Sequence, residues 1–290
     1  VERWLRNFGR QRTLDLLQVN NQIKPPQVLC MPAGGGRDRV AAALAAEGVE
    51  SRPSELAPHG LVVTSGQPIA TRSMREGSIY LQDVASQAAA LIPPPQPGEK
   101  IVDLAAAPGG KTFSLLSWQP QLDVVAVDRS VERLQLLRAN RRRLGLTVGM
   151  VQADALSPPW RDTFDRVLLD VPCTGSGTLR KNPELKWRVE VGEMARLAAQ
   201  GLAMLQAGAE LVRPGGLVCF ITCSIEPEEN RAVVDRFLAT EQPFELVDLE
   251  PLLPPMLREG IVDRGCWQVL PADVHDGFTV HLLRRRAAAA

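Results

Sequence analysis

Beyond its first hundred residues, the chain alternates short apolar runs with amphipathic stretches. Residues 101–104 are a short, mainly apolar run and predict a buried strand. Residues 105–110, all Ala, Pro and Gly, predict a loop, and a helix begins at Lys111 and runs to Trp118. Residues 124–127 predict a second strand ending at Asp128. Ser130 is a candidate N-cap for a helix reaching about Leu144, with Leu134, Leu137 and Leu144 on one face. Residues 148–151 predict a third strand before Asp154, and residues 166–169 a fourth ending at Asp170. A long helix is expected from about Val191 to Val212, stopped by Arg213-Pro214-Gly215-Gly216. A strand at 217–222, a helix at 228–238 and strands near 244–249 and 278–283 complete the pattern. Strands alternating with helices imply βαβ units and a mostly parallel sheet with helices on both faces. Ligands bind such sheets at the carboxyl ends of the strands. The Gly-containing loop, Asp128, Asp154 and Asp170 all fall there.

Before that region the pattern is patchier. Pro25-Pro26, Gly34-Gly35-Gly36 and Pro53 interrupt short elements, and Ile92-Pro93-Pro94-Pro95-Gln96-Pro97-Gly98 is a stiff connector that is neither helix nor central strand. A length of 290 residues suggests about two domains. Lys+Arg and Asp+Glu both number 33, which removes the argument from a strongly basic chain but leaves local patches. No apolar run approaches the ~18 residues of a membrane span. The most apolar long stretch, residues 197–212, is broken by Gln200, Gln206 and Glu210. Five irregularly spaced cysteines argue against a disulfide framework and for reduced thiols in the cytoplasm. The start at Val1 rather than Met leads us to expect a preceding N-terminal piece.

The loop after the first strand invites three readings. Gly110-Lys111-Thr112 fits the end of a phosphate-binding P-loop, but Ala105 stands where its first Gly belongs. The dinucleotide fingerprint G-x-G-x-x-G is absent. A nucleoside-binding loop of similar topology remains. The Gly pair lets a ligand approach the backbone, Asp128 stands where an acid accepts hydrogen bonds from ribose hydroxyls, and Asp154 can reach an adenine amino group. A ribose-binding acid without a pyrophosphate cradle suits S-adenosylmethionine. Singly, Asp128 and Asp154 read as well as turn or cap residues.

Cys30, Cys219 and Cys266 read as small buried hydrophobes. Cys173 and Cys223 do not, because Asp170-Val171-Pro172-Cys173 follows the fourth strand and Thr222-Cys223-Ser224 the fifth. Adjacent strands would bring the two thiols together. No C-x-x-C pair exists for zinc, so no metal is expected.

At these residues the chain resembles a known family. Ala105-Ala106-Ala107-Pro108-Gly109-Gly110-Lys111-Thr112 resembles motif I of the RNA cytosine-5 methyltransferases of the NOL/NOP/Sun type. Asp170-Val171-Pro172-Cys173-Thr174-Gly175-Ser176-Gly177, with Arg180-Lys181-Asn182-Pro183-Glu184-Leu185-Lys186-Trp187, resembles motif IV. Thr222-Cys223-Ser224-Ile225-Glu226-Pro227-Glu228-Glu229-Asn230 resembles motif VI. Tyr80-Leu81-Gln82-Asp83-Val84-Ala85-Ser86-Gln87 resembles the approach to the cofactor domain, and Asp276-Gly277-Phe278 the terminal strand. The resemblance covers about residues 77–283 and is nearest to the bacterial branch acting on 16S rRNA. Departures are Ala105 for a frequent Cys, Thr174 for a frequent Ser and Thr279 for a frequent Phe; the last puts the terminal strand's detail in question.

The resemblance implies a Rossmann-like α/β methyltransferase domain over residues 73–290, after a small α/β RNA-binding subdomain over residues 1–72. It implies S-adenosylmethionine as cofactor, held by Ala105, Ala106, Ala107, Pro108, Gly109, Gly110, Lys111, Asp128, Asp154 and Asp170. It implies methyl transfer to carbon 5 of an RNA cytosine, with Cys223 as nucleophile, Cys173 assisting release and Asp170 on the cytosine edge. Lys111 would lower a thiol pKa or orient Asp170, the alternative being a surface or capping lysine. Arg180, Lys181, Lys186 and Arg188 would hold phosphates, with Arg141-Arg142-Arg143 and Arg284-Arg285-Arg286 as further basic clusters. Trp187 would stack or pack. The expected partner is RNA, 16S rRNA first, for a monomer without membrane contact; an upstream NusB-like domain would be missing. A tRNA or another rRNA is the alternative substrate. A non-catalytic RNA-binding assembly factor is the alternative class. A DNA cytosine methyltransferase would carry its nucleophile in the Pro-Cys motif instead.

Overall fold

The computed structural model describes residues 1–188, 192–240 and 242–287, and for Arg188 the backbone only. An N-terminal helix, Glu2–Val19, precedes a four-stranded antiparallel sheet of β1 (Gln27–Cys30), β2 (Glu50–Pro53), β3 (Gly60–Ser65) and β4 (Ile79–Leu81), in the order β2-β3-β1-β4. Val28, Leu61, Val63 and Ile79 of this sheet pack on Val40 and Leu44 of helix Arg37–Ala46. β4 pairs with β1, so the boundary expected after residue 72 falls inside this unit.

A nine-stranded sheet follows: β5 (Lys100–Asp103), β6 (Asp123–Asp128), β7 (Gly149–Gln152), β8 (Phe164–Asp170), β9 (Val212–Thr222), β10 (Phe244–Leu246), β11 (Ile261–Asp263), β12 (Cys266–Val269) and β13 (Phe278–Arg285). The order is β11-β12-β13-β9-β8-β5-β6-β7, with β10 on β13. β7, β6, β5, β8 and β9 run parallel, and the remaining strands add antiparallel to the β9 edge. The period of two divides each strand between two cores. Ile101, Leu168, Cys219 and Ile221 face Phe113 and Leu116 of helix Gly110–Trp118 and Leu137 of helix Val131–Arg143. Val102, Val167, Leu169, Val218 and Phe220 face Leu205 of helix Glu193–Ala209 and Phe237 of helix Arg231–Leu238. Cover on both faces is why these strands read as continuous apolar runs.

Several elements differ from the pattern's expectation. The long helix ends at Ala209, and β9 begins at Val212, running through Arg213-Pro214-Gly215-Gly216 instead of starting after it. Pairing of Val212 with Phe164 holds that early part, with an irregularity before Arg166–Leu217 resumes the register. The expected helix start at Val191 lies outside the described residues. The helix expected from residue 228 divides into a 3-10 turn, Pro227–Glu229, and an α-helix from Arg231. β11 and β12 had no clear periodic signal. No described helix is long and apolar enough to cross a membrane.

The proline-rich connector is fixed by one buried cation. Arg166, 1% exposed, donates from Nη1 to Pro93 O at 2.5 Å and pairs through Nη2 with Glu99 Oε2 at 2.9 Å. Arg166→Met should leave Glu99 and the carbonyl unmatched and cost about 3–5 kcal/mol. The check is the urea unfolding free energy of the two chains.

Candidate active site

β8 and β9 are adjacent and parallel, with Asp170 opposite Ile221, so their loops leave the sheet side by side. This places Cys173 Sγ 3.4 Å from Cys223 Sγ. The contact depends on a lock between three segments. Gly177 N donates to Cys223 O at 2.9 Å, and Gly277 N, just before β13, donates to Gly177 O at 2.8 Å. A Cβ on Gly177 would lie 2.4 Å from Gly277 O and 2.8 Å from Cys223 O, so the approach requires glycine. Glu229, buried, accepts from Thr174 N at 2.7 Å and Thr174 Oγ1 at 2.5 Å. Asn230 accepts from Thr222 Oγ1 at 2.6 Å and donates to Ser224 O and Glu226 O, each at 2.9 Å. Thr279 donates to Ser224 O at 2.9 Å, tying the terminal strand to the same loop. Within the motif VI run, no local sequence signal gives Glu229 or Asn230 a role.

Cys223, Asp170 and Lys111 line a cleft of about 330 Å³ with Asp103, Phe278 and the Ala105–Ala107 segment. Lys111 stands in the first turn of its helix, where Nζ pairs with Asp170 Oδ2 at 2.5 Å and sits 5.1 Å from the Phe278 ring centroid. Of the readings of Lys111, the geometry gives the contact with Asp170, and burial excludes a surface lysine. The hydrogen bond with Cys223, followed by burial, pushes the Cys173 thiol well above its ordinary pKa, so Cys173 keeps its proton. Asp103 is buried beneath the loop and accepts from Thr112 Oγ1 at 2.8 Å, while Oδ1 has no partner. Burial raises its pKa to about 6.

Asp128 is buried at the end of β6 and accepts from Ala107 N at 3.3 Å and Ser130 N at 3.0 Å, with Arg133 Nη1 at 3.4 Å. It therefore pins the loop over residues 105–110 as well as facing open space. Asp154 accepts from Leu156 N at 2.9 Å. Asp128 and Asp154 line a smaller hollow of about 100 Å³ that meets the main cleft at Ala105. Gly109, at φ +112°, lies under the Phe113 ring, where a Cβ would come within 2.4 Å.

The expected phosphate contacts separate. Arg180 is not available to RNA. Its side chain is 1% exposed and pairs through Nε with Asp276 Oδ1 at 3.3 Å, with Nη1 and Nη2 on Asp273 O at 3.1 Å and His275 O at 2.5 Å. The physical reason is a buried four-member ion network: Lys24 joins Asp276 Oδ2 at 2.5 Å to Asp83, and two buried carboxylates require two cations. Burial opposes ionisation of Asp83, but the Lys24 charge and hydrogen bond bring its pKa below the ordinary value; burial and the Asp83 charge raise Asp276. Nothing local in the sequence signalled Lys24. Lys181 is exposed and lines the cleft. Lys186 reaches Asn21 Oδ1 at 3.2 Å. The side chain of Arg188 lies outside what is described. Arg143 donates to Met74 O and Ile79 O, and Arg285 to Val212 O, so those clusters are partly structural. Trp187 is exposed and does not pack.

A family model described as 16S rRNA methyltransferase RsmB/F matches residues 90–284. Ribosomal RNA small subunit methyltransferase B of Vibrio cholerae is 38% identical over 215 residues, covering 73% of this chain and 47% of that protein. The Salmonella paratyphi B protein of the same name is 36% identical over 227 residues, covering 77% and 53%. The chain thus spans about half the length of the curated relatives it matches. Among solved structures, PH0851 superposes with a TM-score of 0.88 at 32% identity, covering 97% of this chain and 64% of the other. NSun6 from Pyrococcus horikoshii with SFG superposes with a TM-score of 0.84 at 19% identity, covering 99% and 97%, and shares the fold.

The Asp103 carboxyl generates a pH dependence. Its folded pKa of about 6 lies above the ordinary 3.8, so between those values the folded chain holds a proton that the unfolded chain releases. Stability from this group is full below about pH 4 and is lost as pH rises through 6, by roughly 3 kcal/mol. Asp103→Asn cannot ionise. Urea titrations at pH 4 and pH 7 should show the Asn variant gaining that amount on the wild type as pH rises; a pH-independent difference would rule out the protonated carboxyl.

Proposed function

The chain belongs to the 16S rRNA methyltransferase RsmB/F family, and from that premise we propose that it methylates carbon 5 of a cytosine in RNA, 16S rRNA being the expected substrate. The observation that carries this reading is the pair of thiols 3.4 Å apart beside the Asp170–Lys111 pair. Two cysteines on different loops suit covalent catalysis with separate attack and release.

Cofactor and substrate fit adjoining spaces. The hollow along Asp128 and Asp154 suits an adenosine, and the orphaned Asp103 oxygen beneath the loop suits a cationic amino-acid end. S-adenosylmethionine, when bound, supplies an electrophilic methyl on its sulfonium. Cys223, as thiolate, adds to carbon 6 of the flipped cytosine, making carbon 5 nucleophilic. Asp170, oriented by Lys111, holds the cytosine edge near N3 as charge develops. After methyl transfer the carbon 5 proton leaves to a base, the carbon 6–sulfur bond breaks, and Cys223 departs as thiolate. Cys173, held protonated, stands next to the departing sulfur and assists release by donating a hydrogen bond to it. Lys181 contacts RNA phosphate, the N-terminal unit adds RNA-binding surface, and a reducing cytoplasm keeps both thiols free.

Two experiments test this. Cys223→Ala should reduce methylation to background without an RNA adduct. Cys173→Ala should accumulate a covalent protein–RNA complex that survives denaturing electrophoresis and disappears with nuclease, and the double variant should lose it. An inactive Cys173→Ala without adduct beside an active Cys223→Ala would reverse the roles, as in the DNA enzymes. Separately, Asp128→Ala should weaken S-adenosylmethionine binding by about 1.5–3 kcal/mol; unchanged affinity by calorimetry would remove Asp128 from the cofactor site.

A further inference from the structure

Two large apolar side chains, on segments tied to the walls of the catalytic cleft, are left exposed: Trp187 is 89% exposed and Ile23 97%. Their segments are linked, because Lys186 Nζ donates to Asn20 O at 3.4 Å and Asn21 Oδ1 at 3.2 Å. Each segment is also anchored to the cleft. Lys24, next to Ile23, holds Asp83 and Asp276, which line it. Lys181 and Asn182, just before Trp187, line it as well. Trp187 rides on the short helix Leu185–Arg188, seated close to the motif IV loop: a Cβ on Gly175 would lie 3.0 Å from Leu185 Cδ1. Lys186 of that helix also lines a second cleft, of about 530 Å³, with Arg3, Arg6 and Trp4.

We propose that Trp187 and Ile23 engage the nucleotides flanking the target in single-stranded RNA, Trp187 as a stacking platform and Ile23 as an apolar filler beside it. The inference rests on the RNA reading above. A base that enters the cleft must leave its stack, and its neighbours then lose a stacking partner. An exposed aromatic ring replaces that partner without regard to sequence, and an apolar side chain can fill the gap between bases.

Charge at the rim favours RNA over protein as the occupant. Asp83 and Asp276 are matched by Lys24 and Arg180, and Asp170 by Lys111, which leaves Lys181 without an ion-pair partner among the described residues. On the far side Lys186, Arg3 and Arg6 are balanced by Glu2 and Glu226, which line the same second cleft, and by Glu228, 3.7 Å from Arg3, so the cation that bears on the occupant is Lys181, which lines the catalytic cleft itself. Two isolated apolar side chains are too small a surface for a stable protein interface and suit bases joined by phosphates.

The test compares the wild-type chain with W187A, W187F and I23S, using fluorescein-labelled oligoadenylate of about 12 nucleotides. Oligoadenylate should quench tryptophan fluorescence in the wild type, and W187F should remove that quenching while keeping most of the affinity. W187A should weaken binding about tenfold, I23S should weaken it less, and S-adenosylmethionine affinity should not change. With a methylatable RNA, the W187A defect should fall on KM more than on kcat. Equal oligoadenylate binding by wild type and W187A would assign the surface to a protein partner and overturn the inference, as would equal losses in W187F and W187A. If Cys173→Ala forms an adduct while W187A binds normally, only this inference fails. If no RNA gives an adduct while quenching still requires Trp187, the stacking surface stands and the catalytic reading falls.

Discussion

The parallel pairing of β8 with β9 sets the level at which two loops leave the sheet, and the rest of the site is positioned from that register. Asp170 stands opposite Ile221, so Cys173 and Cys223 emerge on neighbouring loops and meet. Pairing alone would leave the loops free to separate. The hydrogen bonds through Gly177 close them at a distance only glycine permits, and Glu229 and Asn230 satisfy the turn polar groups from beneath. Buried polar groups with every partner present fix one arrangement, because any other leaves them unpaired. Cys223 is thus held by backbone hydrogen bonds while its sulfur stays open to the cleft.

A second constraint is charge matching. The cleft and its walls contain Asp83, Asp103, Asp170 and Asp276. Three have a cation within ion-pair distance, each brought from a distant segment. The fourth, Asp103, is driven toward its neutral form by burial. Lys24 lies before the first strand, Asp83 precedes the large sheet, Arg180 belongs to the motif IV loop and Asp276 to the approach to β13. The network therefore joins the N-terminal unit to the Cys173 loop and the approach to β13, and opening it would leave two carboxylates and two cations unmatched where they are buried.

The sequence by itself determined the alternation of strands and helices, the parallel core and the strand-end loops that carry Cys173 and Cys223. The apolar runs and the Ser130 cap, which accepts from Arg133 N at 3.1 Å, are local signals, and local signals suffice where burial on both faces or a cap decides the element. Cys173 and Cys223 stood out for the same reason, since each follows a strand. Only the tertiary structure decided what those positions touch. Arg180 looked like a phosphate contact because its neighbours are basic, and it is buried because Asp276, nearly a hundred residues away, needs a cation. The antiparallel strands β11 and β12, short and half-polar, form because the β13 edge beyond β9 offers unpaired backbone to cover, which no periodicity within them states. Trp187 offered two readings until folding left its ring exposed on the short helix Leu185–Arg188. Period and capping act within a few residues of chain, whereas ion pairing and exposure are set by what folding brings alongside.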